Sequence, residues 1–223
     1  MNPEADLPNP ALDLAQYRTL RQAVNRVHDL VLNLATKADF TGAARQLGLL
    51  SGKAIAFEND SEQNVLADFI VYAWRPNGVS MIEIYRRLNA ARADDSTREL
   101  LGRMAQARYR LLRIESTHDQ GQLWAFDLLA QQRLVLVDRA LAESVEAGNG
   151  LAGHVIEFDR FCILTGAALP VARPAIEQDD ILQALAAQPS RKASAAMLNA
   201  KCARLITAAL IRAGYASRVA FDG

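Results

Sequence analysis

The side chains that could carry out acid–base chemistry are few and stand far apart. The chain of 223 residues has three histidines, His28, His118 and His154, which the surrounding patterns place in a helix, a turn and a strand. No HExxH, GxSxG or CxxC motif occurs, so the spacings typical of metalloproteases, serine hydrolases and dithiol enzymes are missing. His154 and Glu157 are three residues apart, which on a strand puts them on opposite faces. No catalytic residue is predicted, and an enzyme whose active site is assembled only by the fold stays open as one alternative.

Ligands for a metal ion or a nucleotide are not predicted either. Cys162 and Cys202 are the only cysteines, and their apolar neighbours indicate buried small side chains rather than metal ligands or a disulfide framework. The stretch GLLSGKA (48–54) is a plain turn, because a phosphate loop needs glycine at Leu47 and serine or threonine at Ala54. Four acids lack the spacing of a calcium loop, and helix capping explains them; they are Glu58, Asp60, Glu62 and Asp68.

Basic and aromatic side chains suggest nucleic-acid binding as another kind of chemistry. Single strands need clustered arginine or lysine with aromatic rings on which bases stack. Trp124 and Phe126 could be such rings, although packing in a core is the competing interpretation. The one local basic cluster between residues 108 and 171 is Arg108, Arg110 and Arg113, which the solvent face of a strand also explains.

The C-terminal residues hold the only sizeable charge asymmetry. From Pro189 onward six basic residues stand against one acid, Asp222, and four of them form a candidate basic patch: Arg191, Lys192, Lys201 and Arg204. A solvated helix face is one interpretation, and contact with an acidic partner or with phosphate is the other. Because the formal net charge is zero, no overall field favours nucleic acid, which makes it the alternative function here.

A compact β module is predicted for residues 108–171, between two helical regions. Short alternating or apolar runs follow one another there: RYRLLRIE, QLWAFDLL, RLVLV, LAGHVIEF and FCILTGAAL. Turn residues separate them, as in HDQG (118–121) and EAGNG (146–150). About five short strands with tight turns indicate a small antiparallel barrel or curled sheet. Barrels of this size often bind oligonucleotides or peptides, an argument from fold alone.

Helices are predicted on both sides of this module. Capping-box spacings at Asp60, Ser80 and Ser96 predict three helix starts. The helical domain spans residues 11–107 after a flexible arm at 1–10. Two C-terminal helices, at about 176–187 and 193–212, lie within 172–223.

The first predicted helix, from about Ala11 to Lys37, has a heptad pattern. Apolar residues alternate at spacings of three and four, and the candidate interface residues among them are Tyr17, Leu20, Val24, Val27 and Val31. A helix packed on its own domain is one interpretation, and an interface with a second copy or a protein partner is the other. The pattern covers only about three repeats, so it does not decide between them.

Four stretches resemble an uncharacterised group of bacterial proteins. They are NDSEQNVLADFIVYAW (59–74), RELLGRMAQARYRLLRIE (98–115), FDLL (126–129) and GNGLAGHVIEFDRFCILTGAALPV (148–171). In that group a helical segment precedes a small β module, often beside a short zinc-binding SEC-C motif of cysteines and histidines. Because the chain has no cluster of cysteines and histidines, the resemblance implies no zinc site, no enzymatic activity and no functional residue.

These patterns together predict an α+β protein that binds or assembles without catalysis. No apolar run approaches the length of a membrane span, and the acidic, proline-containing first residues lack the features of a signal peptide. The cytoplasm is the predicted location. The expected partner is a protein or a second copy of the chain through the first long helix, with no cofactor and no metal.

Overall fold

The computed structural model describes residues 14–172 and 194–216, which fold as helices, then a small barrel, then one long helix. The helices are α1 (Leu14–Leu32), α2 (Lys37–Leu47), α3 (Asp60–Tyr72), α4 (Met81–Asn89), α5 (Asp95–Ala105), α6 (Arg139–Ser144) and α7 (Ala195–Arg212). The strands are β1 (Leu50–Ser51), β2 (Ala54–Ile55), β3 (Arg108–His118), β4 (Gln122–Asp127), β5 (Gln132–Val137), β6 (Gly150–Glu157), β7 (Cys162–Leu164) and β8 (Leu169–Val171). The predicted α+β class is confirmed. The predicted arm at 1–10 and helix at 176–187 lie outside the described residues.

Side chains that accept backbone N–H bonds fix the helix starts in the first half of the chain. Ser80 and Glu83 form the predicted capping box at the start of α4. The other two predicted starts are too late by one and two residues, because Asn59 caps α3 and Asp94 caps α5. A short polar cap of this kind stabilises a helix by ~1 kcal/mol.

Helix α1 ends about five residues before its predicted end at Lys37, and the next helix begins at Lys37. An unpredicted capping box of Thr36 and Asp39 starts α2, so α1 ends at Leu32 and the chain turns before Lys37. Asp39 also accepts a 3.0 Å hydrogen bond from the Trp74 indole N–H. The turn between α1 and α2 is therefore stabilised by contacts within α2 and from the end of α3.

The heptad face of α1 is buried in the chain's own core, which contradicts the interface prediction for this face. Val24, Val27 and Val31 are at most 7% exposed, and Tyr17 and Leu20 pack partly buried against the same core. The helix contacts α3 and α4. Side chains already covered within one chain are not free to cover a partner, so the alternative interpretation, packing on the chain's own domain, is the correct one.

Five strands close into a barrel. β3 pairs with β4, β4 with β5, and β6 with both β7 and β3, all antiparallel, while β5 pairs parallel with β7. β8 pairs with the first residues of β6 and so continues the wall beyond β7. The predicted small barrel is confirmed, although one of its pairs is parallel. This strand order, with α6 between the third and fourth barrel strands, is the connectivity of the OB-fold, a five-stranded Greek-key barrel.

The barrel has an apolar interior that is closed at both ends. Its buried residues are Leu112, Ile114, Leu123, Ala125, Leu134, Leu136, Leu151, Val155, Cys162 and Leu164. Leu141 and Ala142 of α6 pack against this interior at one end. At the opposite end Arg110, near the start of β3, forms a buried ion pair with Asp127 at the end of β4.

Strand β3 separates the barrel interior from a second, helical core. Tyr109 and Leu111 belong to the helical core, whereas Leu112 and Ile114 point into the barrel. Helix α7 lies across the start of β3, where the Tyr109 N–H donates a 2.7 Å hydrogen bond to the Asn199 side chain. A bulge follows Ile114 and bends the strand. The helices thus cover the first half of β3 and leave the outer face of β4 partly exposed.

Candidate functional site

Two aromatic rings lie on the outer face of β4. Trp124 and Phe126 are alternate residues of the strand and both are partly exposed, whereas Ala125 between them is fully buried in the barrel. In the register of the sheet, Arg113 of β3 and Arg133 of β5 lie on either side of Phe126. Alternation along the strand therefore brings rings and cations to one surface.

Three neighbouring side chains lie around these rings. The Arg113 guanidinium lies 5.5 Å from the centre of the Phe126 ring, within the range of a cation–π interaction. The His118 ring lies 4.7 Å from the Trp124 ring. Arg133 pairs with Glu115 at 2.8 Å, and the Arg133 side chain remains 48% exposed. We call Trp124, Phe126, Arg113, Arg133 and His118 the aromatic face.

A second polar group is buried where the helices meet the barrel. Asp68 of α3 is 4% exposed, and its Oδ2 lies 2.5 Å from Nδ1 of His154 on β6. Its Oδ1 accepts a 2.5 Å hydrogen bond from the hydroxyl of Thr165, which follows β7. Nε2 of His28 on α1 lies 3.9 Å from the same Oδ1. These four residues, which we call the Asp68 cluster, tie two N-terminal helices to the barrel.

Tyrosine rings enclose the Asp68 cluster. The rings of Tyr72 and Tyr109 lie 5.1 Å and 5.0 Å from the His154 ring. Burial, and secondarily the Asp68 carboxylate, raises the pKa of Tyr72 well above its usual value, and burial likewise raises the pKa of Tyr109. An aspartate–histidine pair can orient an imidazole for proton transfer, but His154 is 1% exposed. Its enclosed position points to a structural role for the pair.

Stability should fall as the pH drops, because of His28. Burial is the largest influence on its imidazole and lowers the pKa below the usual 6.5, while Asp68 and Asp29 oppose the shift. The unfolded chain then binds more protons than the folded one. The contribution of His28 to the free energy of unfolding is therefore fully present above pH 6.5 and is lost as the pH falls below that value. We expect His28→Gln to reduce the decline between about pH 7 and about pH 5.5 in urea unfolding. His118→Gln, at an exposed imidazole, is the control, and an undiminished decline in His28→Gln would contradict the expectation.

The residues singled out in the sequence for enzymatic chemistry are dispersed. His118 lies on the aromatic face, whereas His28 and His154 belong to the Asp68 cluster. Cys162 is buried in the barrel, and burial raises the pKa of its thiol to about 12. Cys202 on α7 is half-buried, with a pKa also raised by burial. Both thiols are therefore poor nucleophiles at neutral pH.

Sequence reasoning missed the Asp68 cluster, because its members lie far apart in the chain. Asp68 is 86 residues from His154 and 97 from Thr165, and no local spacing relates them. One signal was available, since Asp68 stands within the run VLADFIV of α3, where an acid in an otherwise buried helix face needs a partner.

The glycine motifs that could suggest a nucleotide site have structural roles. GNGLAG (148–153) matches the glycine spacing of a dinucleotide-binding turn, but it leads into β6 and no helix follows, so the match is coincidental. Across residues 14–172 and 194–216, no group of three histidine, cysteine or acidic side chains could hold a metal ion. Gly52 forms the plain turn predicted between residues 48 and 54.

Two of the four residues of the candidate basic patch belong to the part of the chain that the structure describes. Lys201 and Arg204 lie half-buried on α7, which contacts β3, β6 and β8, whereas the aromatic rings lie on β4. Arg191 and Lys192 lie outside the described residues. None of the helices described in the structure is both long enough and apolar enough to span a membrane.

Comparison with known proteins identifies one match. Neither a curated protein nor a solved structure matches the chain, and the resemblance to proteins that accompany SEC-C motifs stays a prediction. A family model described as a family of unknown function (DUF7986) matches residues 12–195, which includes α1 to α6 and the whole barrel. The chain therefore belongs to DUF7986, a family of unknown function.

Proposed function

We propose that the protein binds single-stranded nucleic acid on the aromatic face, in the cytoplasm. The observation that carries the proposal is the pair of partly exposed rings, Trp124 and Phe126, with Arg113 and Arg133 on the neighbouring strands. Rings two residues apart on one strand are about 6.6–6.8 Å apart along it. That spacing allows two successive bases to stack, one on each ring, while the arginines contact phosphate.

The charge of the aromatic face sets how strongly salt should weaken binding. Among the described residues the Arg113 guanidinium has no hydrogen bond or ion pair and lies over the Phe126 ring. The exposed Arg133–Glu115 pair contributes at most about 1 kcal/mol, so a phosphate can replace Glu115. With two phosphates contacted, log K should fall with log salt at a slope of about −1.4. Barrels of this connectivity often bind oligonucleotides, which supports the proposal by analogy with the fold alone.

Removing either ring should weaken binding. We expect Trp124→Ala and Phe126→Ala each to reduce affinity for a fluorescein-labelled oligothymidylate or oligouridylate by about 5- to 160-fold, since stacking on one ring contributes about 1–3 kcal/mol. Fluorescence anisotropy at several salt concentrations measures both the loss and the salt slope.

Matched variants separate the aromatic face from general effects of losing a ring or a charge. Phe57→Ala removes a ring that is 41% exposed elsewhere, and Arg45→Ala removes an exposed cation of α2; both should bind like the wild type. Arg113→Ala should weaken binding and make the salt slope shallower by about 0.7. Saturable binding that Trp124→Ala and Phe126→Ala leave unchanged, or no binding of any single strand at low salt, would refute the proposal.

A further inference from the structure

A groove of about 670 Å³ lies between α1, α4 and α5, away from the aromatic face. Its floor is apolar, with Val27, Leu100 and Leu101 at most 8% exposed. Leu30 and Tyr85 line it from the facing helices. The groove includes the side of α1 next to the heptad face, where Arg26 and Leu30 remain exposed.

Apolar side chains are unusually exposed around this groove. Of the six large hydrophobic residues exposed in the described part of the chain, three lie on or next to its helices: Leu30 at 40%, Leu34 at 39% and Leu88 at 63%. Leu34 follows the end of α1, four residues after Leu30, and Leu88 is three residues after Tyr85 on α4. Of these three, Leu30 lines the groove itself, and exposed apolar side chains at a groove are typical of binding sites for proteins.

The groove lining has a net positive charge, with two arginines against one acid. Arg26 of α1 and Arg92, before α5, line the groove with exposed side chains, and neither side chain has an ion-pair or hydrogen-bond partner among the described residues. The one acid of the lining, Asp94, already accepts hydrogen bonds from Thr97 and Ser96 as the cap of α5. A ligand that meets both the apolar floor and the two free cations must be apolar on one side and acidic at its edges.

We propose that this groove binds an acidic amphipathic helix of a protein partner. Leucine-like side chains of that helix, spaced i, i+3, i+4 and i+7, would pack against Leu30 and Tyr85 above the apolar floor, with carboxylates on its flanks paired with Arg26 and Arg92. Helix-in-groove recognition of this kind reads its anchors at that spacing. The site is separate from the aromatic face and does not depend on nucleic-acid binding.

A synthetic peptide tests the proposal directly. The probe is a peptide of about 15 residues with leucines at the helical anchor spacing and glutamates on the flanks; a second peptide has lysine in place of every glutamate. We expect saturable binding of the glutamate peptide in the micromolar range, at least about tenfold tighter than that of the lysine peptide. The double variant Arg26→Glu with Arg92→Glu should reverse this preference, because both flanking charges change sign.

Controls distinguish the groove from non-specific attraction. Arg45→Glu with Arg87→Glu makes the same charge change on exposed positions outside the groove lining and should leave the preference as in the wild type. Trp124→Ala should not affect peptide binding, and Leu30→Ser should weaken it. Equal binding of both peptides, a preference that survives the double reversal at Arg26 and Arg92, or a dimer that forms in place of peptide binding and is lost in Leu30→Ser would overturn the proposal.

Discussion

Asp127→Ala is expected to destabilise the protein by about 3–5 kcal/mol, the loss found when one partner of a buried ion pair is removed. Asp127 is completely buried, and Arg110, its partner, is 2% exposed. The substitution leaves the guanidinium inside the barrel end with only Glu157, which is half-exposed, to balance its charge. It also removes the acceptor of two backbone N–H groups, those of Leu129 and Ala130. Urea unfolding followed by circular dichroism measures the free energy of unfolding.

The same barrel offers a matched control for this expectation. Glu115→Ala removes the acid of the exposed pair with Arg133, and a surface pair of this kind contributes about 0–1 kcal/mol. Asp127→Asn, which keeps an oxygen for the backbone N–H groups, should destabilise less than Asp127→Ala. If Asp127→Ala and Glu115→Ala had the same effect on the free energy of unfolding, the buried pair would not be what closes the barrel end.

Asp68→Ala is expected to destabilise the protein by roughly 2–5 kcal/mol, because it leaves buried groups without a partner. The His154 imidazole loses its partner at Oδ2 and the Thr165 hydroxyl loses its acceptor at Oδ1. Both are buried, so neither finds water in exchange. Because the cluster joins α1 and α3 to the barrel, the helices should also exchange their amide hydrogens faster relative to β4 and β5.

Variants around the cluster give the comparison. Asp29→Ala removes an exposed acid of α1 next to His28 and should change the free energy of unfolding by less than about 0.5 kcal/mol. Thr165→Val removes one of the two hydrogen bonds to Asp68 and should have an effect between those of the other two. Hydrogen exchange that rose equally in helices and barrel would show that Asp68 stabilises the whole molecule without specifically joining its two parts.

What could be predicted from sequence depended on the distance over which each pattern acts. The alternation of Leu123, Trp124, Ala125 and Phe126 is a local signal that predicts a strand, but which two side chains lie inside the barrel is shown only by the structure. The number and shortness of the strands predicted a small barrel or curled sheet. The parallel pair of β5 and β7 could not be predicted, because the identity of a pairing partner does not affect the local spacing of residues. Helix α6 was missed, since its six residues are too few to show a periodic face.

The errors in the helical half have physical causes as well. The heptad of α1 was read correctly as an apolar stripe, but a stripe does not say whether its partner is α3 of the same chain or another molecule. Helix α1 ends at Leu32 because the Thr36–Asp39 capping box starts a new helix. The apolar pattern continues beyond Leu32 and therefore predicted a later end. Of the aromatic face, Trp124 and Phe126 were recognised as alternatives to core residues, whereas their arginine neighbours on β3 and β5 required the sheet register.

The position of α7 has a consequence for how the protein is made. Its side chains Ala203, Ile206 and Leu210 complete the same core as Val65 and Phe69 of α3, yet they are synthesised more than a hundred residues later. At about 5–20 residues per second, α2 and α3 wait on the order of ten seconds on the ribosome with that apolar surface uncovered. The barrel, whose strands are consecutive in the chain, can close before α7 emerges. We therefore expect a stage during synthesis in which the barrel can be closed while the apolar surface of α2 and α3 is still uncovered.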